Sequence, residues 1–301
     1  MKFFRISHQN AVRVGVLRDE TQGVLLPAAF TDVVDVIEGG RDALDLARGL
    51  LDDPKGDAVS LGGATLLAPI GRFRRDVLCT GWNYWDHFEE GKGRRDGQEV
   101  ERPTAPTFFT KGPSVVIGPN DPIAFDPDLS QKWDFEAEIV AIIGKTGRSI
   151  PKSEAMDHVF GYCLANDVSQ RDLQRRHGGQ WLKGKSIDGT MPLGPWVVTA
   201  DEIDLPSVRF QCLLNGEVMQ DATASLMAFP LPELIAELSL GMTLHAGEIL
   251  LTGTPAGVGN ARTPQVFLKE GDHVVVAGEG LGRLDNMIVS QDLTGNSDVK
   301  L

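Results

Sequence analysis

Apolar and polar positions alternate at the start of the chain. Phe3-Phe4-Arg5-Ile6 and Val12-Arg13-Val14-Gly15-Val16-Leu17 have the period of two that predicts strands. From Val33 to Leu51 the period lengthens, which predicts short helices with charged outer faces. Pro69 and the basic run Gly71-Arg72-Phe73-Arg74-Arg75 mark a boundary after them. Residues 1–70 therefore read as a small N-terminal α/β domain and residues 71–301 as a second, larger one.

In the larger part, short apolar runs are separated by glycine and proline. They include Val77-Leu78-Cys79, Thr107-Phe108-Phe109, Ser114 to Ile117, Phe135 to Ile143, Gly161 to Ala165, Trp196-Val197-Val198, Arg209 to Leu214, Glu248 to Thr252 and His273 to Val276. These are strand-length. Helices are expected only at Ser153 to Val159 and at Leu231 to Ser239, where Pro230 and Pro232 stand at the start. The expected class is strand-dominated α+β, without the regular strand–helix alternation of a doubly wound sheet. Residues 89–106 are polar and rich in glycine and proline, a long connection of the kind that carries function or moves.

Composition narrows the function. A net charge of -13 and the lack of a basic stripe exclude a duplex nucleic-acid binder. An anionic substrate would need local attraction from a metal, arginine or lysine. The 3 cysteines, Cys79, Cys163 and Cys212, are widely spaced and form no CxxC, so reduced thiols are expected rather than a zinc site or a disulfide framework. No apolar run approaches a membrane span and the start lacks a signal-peptide pattern, so the expected location is the cytoplasm.

Five segments hold candidate chemistry. In Trp133-Asp134-Phe135-Glu136-Ala137-Glu138-Ile139, one strand would put Asp134, Glu136 and Glu138 on a single face. Neighbouring carboxylates repel, and a hard divalent cation relieves that repulsion; an acidic face turned to solvent fits the spacing too. Asp167, after an apolar strand, could join such a site, or Asp167 or Ser169 could be an N-cap of a helix beginning near Ser169. Within that helix Arg171 and Gln174 would share a face. His87 and Glu90 are three apart, so one helical turn would join them as an oriented base, although an aromatic-anchored surface helix is the plainer reading of the segment alone. Lys185 could neutralise an enolate or simply be solvated. The turn Leu251 to Gly259 resembles a phosphate loop but lacks its Lys-Ser/Thr ending; it could still bring backbone N–H groups and Thr254 to a ligand. No H-E-x-x-H or G-x-S-x-G occurs.

Taken in order, Asn83-Tyr84, His87 and Glu90, then Glu136-x-Glu138, then Asn166-Asp167-x-Ser169-x-Arg171-Asp172-x-Gln174, then Lys185-Ser186 with Pro192-Leu193-Gly194-Pro195, then Thr252-Gly253-Thr254-Pro255-x-Gly257-Val258-Gly259 closely resemble the fumarylacetoacetate hydrolase superfamily. The likeness runs from about Asp76 to Asp285. It implies a mixed β-roll or sandwich and a homodimer. It implies Mg²⁺ or Mn²⁺, or Ca²⁺, on Glu136, Glu138 and Asp167. Lys185, Arg171, Gln174 and Thr254 would line the pocket, with Tyr84 and Lys111 as further substrate contacts. A lid of about residues 84–106 would carry His87 and Glu90. The implied substrate is a small anionic 2-oxo acid such as an acylpyruvate. His87, oriented by Glu90, would activate water to cleave a carbon–carbon bond, and the metal and Lys185 would stabilise the departing enolate. A decarboxylase, an enol–keto isomerase or a hydratase could use the same residues. The non-enzyme alternative is a binding module with a vestigial site.

Overall fold

All seven residues of the strand Ala137–Ile143 are buried, so both of its faces need an apolar partner. Its side chains sort by alternation. Ala137, Ile139, Ala141 and Ile143 enter one core cluster, and Val140 and Ile142 enter another. This strand lies in the middle of a twelve-stranded principal sheet in a computed structural model that describes residues 1–53, 57–95 and 99–295. Its antiparallel neighbours are Val159–Asn166 and Ile249–Leu251. The sheet continues through Met191–Thr199 on one side, and through Val77–Gly81 to the edge strand Thr107–Lys111 on the other.

Each face has a different cover. On the first, a five-stranded sheet supplies Phe210, Cys212, Val274, Val276, Leu284 and Ile288. On the second, helix α1 (Val33–Asp52) supplies Val33, Val36, Ile37, Ala43 and Ala47. The result is a strand-dominated α+β fold, with sheet packed on sheet on one side and a helix on the other. The N-terminal strand Lys2–His8 pairs with Met191–Thr199 through Lys2↔Val198 and Phe3↔Val197, so the sheet runs unbroken from residues 1–70 into the rest. No helix among the described residues is long and apolar enough to cross a membrane.

Helix α1 starts at a capping box: Asp32 accepts from Val34 N–H at 2.9 Å, and Asp35 accepts from Asp32 N–H at 3.0 Å. It kinks at Gly40, whose φ is +56°, so the expected short helices are two halves of one element. Helix α2 (Trp85–Glu90) and helix α3 (Arg171–Arg176) are single short turns, and α4 spans the expected Leu231–Ser239.

Several local expectations are corrected. Ser153 to Val159 is not a helix: a 3-10 turn covers Ala155–His158, and Val159 is drawn into a strand by pairing with Ile143. Trp133 to Ile139 is not one strand. Trp133–Asp134 pairs with Ser169–Gln170, and the long strand starts only at Ala137. In the break, side chains replace the ladder: Asp134 accepts from Phe135 N–H at 3.0 Å and Asn166 Oδ1 from Glu136 N–H at 3.0 Å. The solvent-facing acidic strand is likewise overturned, because Asp134, Glu136 and Glu138 are all buried. Ser114 and Val115 sit in a 3-10 turn, leaving only Val116–Ile117 as strand. The strands Ile123–Phe125, Glu217–Thr223 and Gly282–Ser290 carried no clear signal in the sequence. Of the expected lid, α2 and Gly91 to Arg95 fold over the molecule, while residues 96–98 lie outside the described residues.

Candidate active site and metal centre

The strand Val77–Gly81 ends in a turn at Trp82, whose φ is +54°, and the chain then enters α2. Asn83 fixes the entry. Its amide donates to Thr252 O at 2.8 Å and Phe229 O at 3.1 Å, and its oxygen accepts from Phe229 N–H at 2.8 Å. The single turn of α2 puts His87 Nδ1 2.8 Å from Glu90 Oε1. The other oxygen of Glu90 accepts from Gly257 N–H at 2.7 Å. With the Glu90 carboxylate accepting from Nδ1–H, Nε2 is left as the acceptor.

Across the cleft, Glu136 sits in the break between strands and Glu138 on the long strand. Asp167 comes after the strand Val159–Asn166, with its N–H bonded to Glu136 O at 2.8 Å. One oxygen from each of the three carboxylates lies within 4.8 Å of the others. The N-cap reading of Asp167 and Ser169 fails: Ser169–Gln170 is a strand, and α3 begins without a side-chain cap.

Three buried cations face these acids. Lys185 Nζ donates to Glu136 Oε2 and Asp167 Oδ2, both at 2.6 Å. Lys111 Nζ bonds Asp167 Oδ1, and Val168 O at 3.1 Å. Arg171 Nη2 donates to Glu136 Oε1 at 2.6 Å, and its Nε to Asp134 Oδ2 at 2.8 Å. Glu138 has no side-chain cation in ion-pair contact among the described residues; it accepts only Gly253 N–H, at 2.7 Å. The electrostatics derive from this arrangement. Burial works to raise the Glu136 carboxyl, but Arg171 and then Lys185 outweigh it and hold it well below the usual carboxylate range. Burial, then Asp167 and Glu136, push Glu138 far above that range. Burial opposes the Lys185 charge, but Asp167 and Glu136 keep its ammonium protonated above the usual lysine value.

Asp134, Glu136, Glu138 and Asp167 are thus four buried acids against three buried cations, Lys111, Arg171 and Lys185. The three ligand candidates offer hard oxygen donors with one acid uncompensated. That set fits an oxygen-seeking dication such as Mg²⁺, Mn²⁺ or Ca²⁺ and does not suit a soft, thiol-seeking metal.

The cleft above the acids has a volume of about 300 Å³ and is lined by His87, Glu136, Glu138, Arg171, Gln174, Lys185 and Thr254, with Trp82, Phe109 and Trp181 as an aromatic wall. The Trp181 ring stands 4.9 Å from Trp82 and 5.1 Å from Phe109, centroid to centroid. Thr254 is held from both sides, donating to Ala137 O at 3.0 Å and accepting from Gln220 at 2.8 Å. Gln174 accepts from Arg171 Nη1 at 3.1 Å. Two expected substrate contacts lie apart from the cleft lining. Lys111 is wholly buried behind Asp167. Tyr84 packs on Phe210 and borders a separate cavity with Trp85 and Ala256. A second chamber of about 480 Å³ shares Trp82, His87, Arg171 and Gln174 with the cleft and adds Arg95, Arg175 and Asn260. Those last three had no signal in the sequence. Arg95 is delivered by the chain after α2, where its guanidinium bonds Phe88 O and stacks 4.1 Å over the Phe88 ring.

Comparisons with known proteins identify the family and the fold. The family described as fumarylacetoacetate (FAA) hydrolase C-terminal matches residues 76–289. An oxaloacetate tautomerase of Bacillus subtilis is 43% identical over 230 residues, covering 76% of this chain and 74% of the relative. A human mitochondrial oxaloacetate tautomerase is 39% identical over 293 residues, covering 95% of this chain and 90% of the relative. The solved structure of a fumarylacetoacetate hydrolase from Exiguobacterium antarcticum superposes with a TM-score of 0.82 at 37% identity, covering 97% of this chain and 100% of that one.

Proposed function

The chain belongs to the fumarylacetoacetate hydrolase family, and from that premise we propose that it interconverts the enol and keto forms of a small 2-oxo acid of the oxaloacetate type, using a divalent cation on Glu136, Glu138 and Asp167. The observation that carries the reading is that the oriented His87 lines one cleft with Glu136 and Glu138, whose carboxylates converge with that of the buried Asp167. Two relatives, 43% and 39% identical, bear the tautomerase name.

Tautomerisation moves one proton between C3 and the oxygen on C2. Glu136, Glu138 and Asp167 would hold a hard cation, which would supply Lewis acidity to the substrate's 2-oxo group. The protein's own residues do the rest. His87 Nε2 takes the proton from C3 and delivers it to the oxygen on C2, or the reverse in the other direction, while Glu90 stabilises the imidazolium that forms in between. Gly257 N–H keeps Glu90 from turning away. Lys185 and Arg171 offset the substrate's negative charge in a protein whose overall charge repels anions. Trp82, Phe109 and Trp181 exclude water from that side.

The test tracks the ultraviolet absorbance of freshly dissolved enol oxaloacetate with protein and Mg²⁺, and again with a chelator. Metal-dependent acceleration over buffer is expected; equal decay with and without protein refutes the reading. An apolar groove favours carbon–carbon hydrolysis as a second reading. Lined by Val100, Phe108, Phe109, Trp181 and Leu182, it opens beside the cleft and could take the acyl end of an acylpyruvate. In that case His87 would deprotonate water instead of C3. Metal-dependent release of a carboxylic acid from an acylpyruvate, with no effect on oxaloacetate, would decide for it.

A further inference from the structure

Asp134 does not line the cleft, yet it is wholly buried and accepts four hydrogen bonds. Its Oδ1 accepts from Phe135 N–H at 3.0 Å and Gly259 N–H at 2.7 Å. Its Oδ2 accepts from Asn260 N–H at 3.1 Å and from Arg171 Nε at 2.8 Å, and lies in ion-pair contact with Arg171 Nη2 at 2.7 Å. Two separate supports of the site meet on this one carboxylate. The first is Arg171, which continues to Glu136 Oε1 and Gln174 Oε1. The second is the turn from Gly253 to Asn260. That turn sends Gly253 N–H to Glu138, Gly257 N–H to Glu90, and Gly259 and Asn260 N–H to Asp134. The turn can come this close only because residue 259 is glycine: a Cβ there would lie 1.7 Å from Val266 O and 2.9 Å from Asp134 Oδ1.

We infer that Asp134 is a positioning residue that sets Glu136, held through Arg171, in register with Glu138 and the His87–Glu90 pair, held through the glycine turn. The inference rests on the metal reading proposed for Glu136, Glu138 and Asp167. A neutral asparagine has one acceptor and one NH₂ group, so it can serve the Oδ1 donors or the Oδ2 donors but not both. Whichever set it abandons, one support comes loose. Partners that orient a metal ligand typically matter by about 10–100-fold in metal affinity or activity.

The experiment is Mg²⁺ titration calorimetry on the full chain, wild type against Asp134→Asn, alongside kcat and KM on enol oxaloacetate. The expected result is Mg²⁺ affinity weakened about 10–100-fold and a lower kcat. Because the two residues act as one unit, adding Arg171→Lys to Asp134→Asn should cost far less than Arg171→Lys does alone. A role confined to folding would lower only the melting temperature. Folded Asp134→Asn that binds Mg²⁺ within twofold of wild type overturns the inference, as does strict additivity in the double variant. If Asp134→Asn fails to fold, Arg171→Lys decides alone: it keeps the charge but loses the Nε hydrogen bond to Asp134, and unchanged Mg²⁺ affinity there overturns the inference. Wild type that binds no Mg²⁺ removes this inference and the metal reading together. Intact Mg²⁺ binding without turnover of oxaloacetate counts against the tautomerase reading alone.

Discussion

Replacing Glu138 with glutamine separates the two things that this side chain does. In the metal-free site two ionised neighbours lie within 4.8 Å, and each would repel a Glu138 charge by about 3 kcal/mol at an effective dielectric of about 20. Burial first, and then that repulsion, push the Glu138 carboxyl far above the usual range and favour its protonated form. Glutamine imitates the protonated acid in shape, and its amide oxygen can still accept Gly253 N–H. Metal-free stability should therefore change by less than about 1 kcal/mol, within the range of mild substitutions. With metal the outcome is the opposite. At a Mg²⁺ concentration of about 100 times its dissociation constant, wild type gains about 2.7 kcal/mol, roughly 5 °C in melting temperature for a chain of this size. A loss of affinity of about 100-fold in Glu138→Gln leaves about 0.4 kcal/mol of that gain, or about 1 °C. Thermal unfolding of both proteins with and without Mg²⁺ reads all four states. If the variant keeps the full Mg²⁺-induced shift, Glu138 is not a ligand. If its metal-free form melts far below wild type, Glu138 is ionised and paired without metal, and the charge accounting is wrong.

Other perturbations bear on other parts of the site. His87→Asn should lower kcat by about 10²–10⁴-fold while leaving Mg²⁺ affinity within about twofold, measured by calorimetry and initial rates; a parallel loss of metal binding would refute its separate role. Gly257→Ala should destabilise the fold and lower kcat together, because φ is +108° and the new Cβ would lie 2.1 Å from Met219 O; a normal melting temperature and rate would show that the turn adapts. Asp32→Ala should cost about 0.5–2 kcal/mol in urea unfolding through loss of the α1 cap, with kinetic constants unchanged, since Asp32 is remote from the cleft.

Local spacing carried part of this site and long-range pairing carried the rest. Glu136-x-Glu138 showed that two acids belong on one side of an extended segment, and His87 with Glu90 needed only one helical turn to meet. The break at residues 135 and 136 was not readable, because it depends on Asn166, 30 positions away, taking the place of a ladder partner. The same limit applies to Ser169. Its sequence suits a helix start, yet pairing with Asp134 keeps it extended and delays α3 to Arg171. Arg95 lies in a stretch whose glycines and charges suggest only a loop; its burial depends on the Phe88 ring and carbonyl that α2 places beneath it.

These long-range pairings also explain how the fold tolerates so much buried charge. An unpaired ion in the interior costs several kcal/mol, and carboxylates this close cannot all stay ionised unaided. The chain meets that demand unevenly. Asp134, Glu136 and Asp167 have lysine or arginine partners at hydrogen-bond distance, whereas Glu138 is given one backbone N–H. Had a fourth lysine been placed beside Glu138, the free protein would be better balanced and a dication would have to displace a bonded ammonium. Leaving that position without a lysine lets a cation replace a proton there rather than a bonded ammonium, next to the Gly253–Asn260 turn that also grips Glu90. A cation drawn there and the histidine that works beside it are then held by the same short stretch of backbone.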